Sequence, residues 1–167
     1  MSRLIRVSLD LRGVSCVARL LDAEAPRTCA AVWDALPLSA QVFHGKYARN
    51  EIYTLLPGFS ADPGKENTTV TPIPGDLCWF SFDDDDLGNP AYGYENTTGT
   101  GTTGAIVDLA LFYGRNNLLI NGDQGWVPGN VFGAVVDGLE EMAAACQDLW
   151  MGGVRGETLS FARLSDS

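Results

Sequence analysis

One histidine, His44, stands alone among 167 residues, so a multi-histidine metal site is not available to this chain. The four cysteines, Cys16, Cys29, Cys78 and Cys146, are widely spaced and include no CxxC pair, which argues against a zinc or redox motif. Each sits among apolar residues and reads as a buried free thiol. Basic residues are scarce: 11 Lys and Arg stand against 21 Asp and Glu, for a net charge of −10. Scattered singly, they form no patch of the kind that neutralises phosphates, so neither nucleic acid nor an anionic membrane is an expected partner. No apolar run approaches the roughly 20 residues that span a bilayer. Met1-Ser2-Arg3-Leu4 runs directly into an alternating strand pattern, so no leader is expected and the compartment is read as the cytoplasm. The Asn-x-Thr sites at Asn67 and Asn96 carry no meaning there.

What is present is a succession of short strand patterns punctuated by eight prolines and 19 glycines. Residues 3–11 and 14–21 read as two strands about Arg12-Gly13. Pro26 opens a helix in which Cys29, Val32, Trp33 and Leu36 share one face, and Pro37 ends it. Residues 38–44 and 50–56 form a hairpin. Residues 57–75 are loop, 76–82 an apolar strand, and 83–104 a polar, glycine-rich insertion too long for a turn: a binding loop, a lid or a mobile segment. Strands follow at 105–113 and 118–120. Val135, Val136, Leu139, Met142, Ala143, Cys146, Leu149 and Trp150 keep a 3.6-residue period and predict a second helix, stopped by Gly152-Gly153. A strand at 159–164 completes one domain over 1–167. About eight strands and two helices favour a sheet that closes on itself, because closure removes unpaired edges. An open α+β sandwich is the alternative on pattern alone.

Four blocks in order sharpen that choice. Glu51-Ile52-Tyr53, Pro74-Gly75-Asp76-Leu77-Cys78-Trp79-Phe80, Leu109-Ala110-Leu111-Phe112-Tyr113-Gly114, and Gly129-Asn130-Val131-Phe132-Gly133 leading into Gly138-Leu139-Glu140 resemble the ordered signature of small bacterial cyclophilin-like proteins, one branch of which is a domain family of unknown function. The resemblance implies a mainly β fold: a closed cyclophilin-like antiparallel barrel of about eight strands with two helices. It does not bring prolyl isomerase activity with it. Gly45 follows Phe43-His44 where the cyclophilin arginine would stand, and there is no Gln-Gly-Gly step. Fold alone does not assign a reaction.

Several motifs dissolve on inspection. Gly99-x-Gly101-x-x-Gly104 matches a dinucleotide fingerprint as a string, but a loop precedes it and a strand follows, so no helix N-terminus would meet a phosphate. The run Asp83-Asp84-Asp85-Asp86 fits neither register of a calcium-binding EF-hand loop. No cofactor and no metal are expected. A groove is the more promising feature. Strand alternation puts Arg49, Glu51 and Tyr53 on one face and Ile52 on the other, so an inward Ile52 would leave Arg49 to clamp a carboxylate or amide oxygen, a surface salt bridge being the plainer use. His44 lies in the same hairpin, as a structural residue or as an acid–base partner of Glu51. Trp126 follows the loop Asn121-Gly122-Asp123-Gln124-Gly125 and, with Asn130, Phe132 and Tyr113, is expected to line the same groove. The expected function is therefore the binding of a small molecule or short peptide, with peptidyl-prolyl isomerase as the alternative and homo-oligomerisation left open.

Overall fold

The structure, a computed structural model, describes residues 2–83, 86 and 106–164. Of the 83–104 insertion it therefore covers only Asp83 and Asp86. Asp84, Asp85, Asn96 and the Gly99–Gly104 string lie outside the described residues. In chain order the elements are β1 (Leu4–Leu9), β2 (Val14–Leu20), α1 (Pro26–Ala35), β3 (Leu38–His44), β4 (Glu51–Pro57), the short β5 (Thr68–Thr69), β6 (Asp76–Phe82), β7 (Ile106–Phe112), β8 (Ile120–Asn121), β9 (Gly125–Trp126), β10 (Gly129–Asp137), α2 (Leu139–Gly152) and β11 (Thr158–Arg163).

Eight strands form one antiparallel ring in the order β2-β1-β11-β3-β4-β7-β6-β10, and β10 returns to β2 through Gly133↔Leu20 and Val135↔Ala18. The barrel is closed, and β5 is a two-residue annex on β10. Period-two alternation fills its interior. Ile5, Val7 and Leu9 of β1 are fully buried, and Cys16, Ala18, Leu20, Leu109, Leu111, Phe132 and Phe161 join them. Both helices add to this core: α1 through Cys29 and Val32, α2 through Met142, Cys146 and Leu149. All four cysteines are buried and free.

Proline at its first position starts α1, whose N-cap, Ala25, has no capping side chain. The first-turn donor at Thr28 N, which has no acceptor within the helix, is instead met by a distant one, Glu66 Oε1, at 2.7 Å. The second helix differs from the sequence expectation. Val135 and Val136 belong to β10, not to α2, and residues 129–133 are strand as well. The break falls at Gly138, which has φ 82° and lies so near β2 that a Cβ would stand 3.0 Å from the Ser15 carbonyl oxygen. Two register shifts in β10, at Val131/Gly133 and Val135/Asp137, bend it between β6 and β2.

A second apolar layer coats the outside of the barrel over β4, β6 and β7. All seven residues of β7 are buried. Val107, Leu109 and Leu111 point inward, while Ile106, Ala110 and Phe112 pack outward with Tyr53, Leu55, Cys78 and Phe80. Ala48 of the β3–β4 turn and Leu119 and Val127 flanking the β8–β9 hairpin cover this outer layer. No helix among the described residues is long and apolar enough to cross a membrane.

Phe132 is a core residue rather than a groove residue, with 0% of its surface exposed. Phe132→Ala should lower the free energy of unfolding by about 3–5 kcal/mol in a urea titration. Trp126, 58% exposed, should cost less than about 1 kcal/mol on replacement by alanine.

Candidate functional site

A pocket of about 50 Å³ opens on the outer face of β4 and β7. Its floor is Glu51, Tyr53 and Leu55 of β4 with Asp108 of β7. The turn Gly45-Lys46-Tyr47 forms one wall, Phe82 of β6 another, and Asn121 and Gln124 of the β8–β9 hairpin a third. The register explains why the two acids share this face: Glu51 stands opposite Phe112 and Asp108 opposite Leu55, so both project outward with Tyr53 and Ala110 between them. The hairpin wall is braced by an Asx turn, in which Asn121 Oδ1 accepts from the backbone N–H groups of Asp123 at 2.7 Å and Gln124 at 3.3 Å.

Glu51 and Asp108 are each 6% exposed, and no ion pair among the described residues reaches either. Asp108 Oδ1 is buried without a hydrogen-bond partner. Burial pushes the Glu51 carboxyl up to about 8. Burial, reinforced by the charge of Glu51, raises Asp108 well above the usual carboxylate range. At neutral pH the pocket therefore holds carboxyl groups that resist ionising. Gly45 lets Glu51 lie where it does: a Cβ there would fall 2.7 Å from Glu51 Oε1, while the Gly45 N–H donates to the Glu51 backbone oxygen at 2.8 Å.

The sequence-derived candidates scatter. Glu51 and Tyr53 line the pocket, with Ile52 inward as alternation implies. Arg49 is exposed, sits on the turn with φ 75°, and is not among the described lining residues. His44 pairs with Ile52 and so faces the inner side, away from Glu51. Its Nδ1 lies 3.0 Å from the Gly45 carbonyl oxygen, which can only accept, so Nδ1 carries the proton and Nε2 accepts from the Tyr113 hydroxyl at 2.6 Å. Burial lowers the His44 pKa, partly countered by the Gly45 carbonyl, and burial pushes the Tyr113 hydroxyl up to about 12. The Trp150 ring packs 5.0 Å from the imidazole. His44 and Tyr113 form a structural pair, not an acid–base couple with Glu51.

Packing does not bring Trp126, Asn130 and Phe132 together in the expected hairpin groove. Trp126 pairs with Ile120 on an exposed face of the small hairpin. Asn130 is 1% exposed; its amide donates to Thr28 Oγ1 at 3.1 Å and Gly64 O at 2.7 Å and accepts from Glu66 N at 3.2 Å. It ties β10 to α1 and the 57–75 loop. Asp108 went unrecognised in the sequence, although an acid inside Ile106-Val107-Asp108-Leu109-Ala110-Leu111-Phe112 was the available signal. Among the described residues, no group of three or more His, Cys, Asp or Glu side chains could hold a metal.

The ring of eight strands with two helices is a closed antiparallel β-barrel. Within that class the chain belongs to the DUF3830 family of proteins of unknown function, whose profile matches residues 7–161. No curated protein matches it. Among solved structures the chain is similar to McbB in complex with tryptophan, at 16% identity and TM-score 0.61, over 98% of this chain and 45% of that one. The chain thus spans less than half of the McbB length. It is also similar to a hypothetical protein from Archaeoglobus fulgidus, at 19% identity and TM-score 0.50, over 98% and 95% of the two chains. A cyclophilin-type peptidyl-prolyl cis-trans isomerase of Cryptosporidium parvum aligns over 100% of both chains at 12% identity and TM-score 0.48, too distant to bear on activity.

The buried acids make stability depend on pH in a definite direction. Well below the ordinary values, 4.5 for Glu51 and 3.8 for Asp108, both are protonated, folded or unfolded. As pH rises towards 8 the unfolded chain gives up these protons first, so stability falls across that window, and the Glu51 share of the fall levels off above its folded-state value of about 8. Glu51→Gln should raise the free energy of unfolding in a urea titration at pH 8.5 by about 1–3 kcal/mol relative to wild type, and bring no such gain well below pH 4. A wild-type advantage at pH 8.5 would contradict the burial of this carboxyl.

Proposed function

We propose that this protein is a binding module that holds a small molecule in the outer pocket between Glu51 and Asp108. The observation that carries the reading is Asp108 Oδ1: a buried acceptor, lining an open pocket, with no donor from the protein. An unmade hydrogen bond of this kind costs about 1–3 kcal/mol, and a ligand donor would remove that cost. Tyr47, Tyr53, Leu55 and Phe82 offer apolar surface beside a few convergent polar groups, the usual composition of a small-molecule site. The volume of about 50 Å³ suits a compact head group better than a peptide segment. The isomerase alternative gains nothing from this pocket, because none of its described lining residues is an arginine.

Fragment titration followed by amide NMR tests the proposal. Binding fragments should shift Gly45–Tyr47, Tyr53, Asp108 and Asn121–Gln124 together. Gly45→Ala, whose new methyl collides with the Glu51 carboxyl, should weaken those fragments at least tenfold. Shifts gathered on another face, or fragments indifferent to Gly45→Ala, would remove the pocket as the site.

A further inference from the structure

Resting on that pocket, we infer that its ligand is an organic ammonium compound whose charged nitrogen is received by Asp108 and Glu51 while its apolar body packs on Tyr47, Tyr53 and Phe82. Three observations converge. Asp108 presents an acceptor with no donor, and an ammonium group brings three donors and no acceptor. The floor of the pocket carries two acids and no base, Lys46 standing in the flanking turn at an exposed position. Tyr47 and Phe82 on two walls and Tyr53 on the floor supply aromatic rings, which attract organic cations.

The other charge types fit less well. An anion would meet two carboxyl groups at the floor, and the chain as a whole carries −10. A hard metal ion prefers six or more oxygen ligands, whereas much of this lining is tyrosine, phenylalanine and leucine. An ammonium ion also accounts for two acids kept within a largely apolar layer. They are costly when empty and ionised, and a bound counter-charge offsets that cost. Among the described residues, the titratable groups that line the pocket beside the pair are Lys46 and Tyr47 from the turn and Tyr53 from β4, with Cys78 of β6 adjoining, whose thiol burial pushes well up. Binding an ammonium ion requires at least one ionised carboxyl, so affinity should climb with pH up to the range in which Glu51 titrates, at about 8.

Benzylamine, benzyl alcohol and benzoate share one ring and differ in head-group charge, so they isolate this chemistry. Titrated by amide NMR at pH 6.0 and 8.0, benzylamine should bind at least tenfold more tightly than benzyl alcohol at pH 8.0, and more tightly there than at pH 6.0. Asp108→Asn and Glu51→Gln should each reduce that affinity at least tenfold, and by a larger factor than they reduce the affinity for benzyl alcohol. Benzyl alcohol or benzoate binding as well as benzylamine would overturn the ammonium assignment and leave the pocket reading standing. Benzylamine binding unaffected by both variants, or competed away by calcium or magnesium alone at the same residues, would also overturn it. If no member of the trio shifts the pocket amides, the assignment falls, and the fragment titration decides separately whether the pocket binds anything.

Discussion

Two strands of this barrel, β4 and β7, are covered on both faces, and much of what is distinctive about the molecule depends on that. In a closed barrel the interior face is buried by definition, whereas the outside normally meets water. Here a second apolar layer, built from Tyr53, Leu55, Cys78, Phe80, Ala110 and Phe112, coats the outer face. Any polar residue in these strands must therefore find a partner in the protein or do without. Thr54 finds one, donating to the Gln41 carbonyl oxygen at 2.8 Å. Glu51 and Asp108 find none that neutralises them, and their raised pKa values follow directly from that enclosure.

The contrast with Glu157 and Glu66 shows that burial alone does not define a site. Glu157 is fully buried, yet it accepts from the backbone N–H groups of Leu11, Arg12 and Thr158 and lies 3.7 Å from the Arg12 guanidinium. Glu66 accepts from both the backbone and the hydroxyl of Thr28 and lies 3.5 Å from Arg27. Those carboxylates are mortar between segments. The Glu51–Asp108 floor shares their seclusion without an ion-pair partner among the described residues.

Most of the barrel was legible in the sequence: alternating residues in β1, β2 and β11 declare their inward faces, and apolar runs bounded by turn residues mark β3, β4, β6 and β7. β10 was not. Val135 and Val136 continue the spacing of Leu139, Met142 and Cys146 so smoothly that a helical period absorbs them, and only the positive φ of Gly138 separates strand from helix. With no strand read over 129–137, alternation could assign no face to Asn130 or Phe132. The floor of the pocket was half legible: Glu51 and Tyr53 follow from simple alternation in the hairpin. Asp108 could be located only through the β4–β7 register, a long-range pairing that local pattern does not encode.

The place of β11 in the ring has a consequence for how the barrel comes into being. It sits between β1 and β3, with Ile5 paired to Arg163 and Ala40 to Leu159. Until this late segment leaves the ribosome, both β1 and β3 must present bare edges, and the ring cannot close however well its other strands have paired. Synthesis proceeds at roughly 5–20 residues per second, so an open, edge-exposed sheet persists for seconds in every nascent copy. Such edges invite pairing with foreign strands. The architecture that leaves the finished barrel without an edge thus makes its final strand the one on which safe assembly hangs.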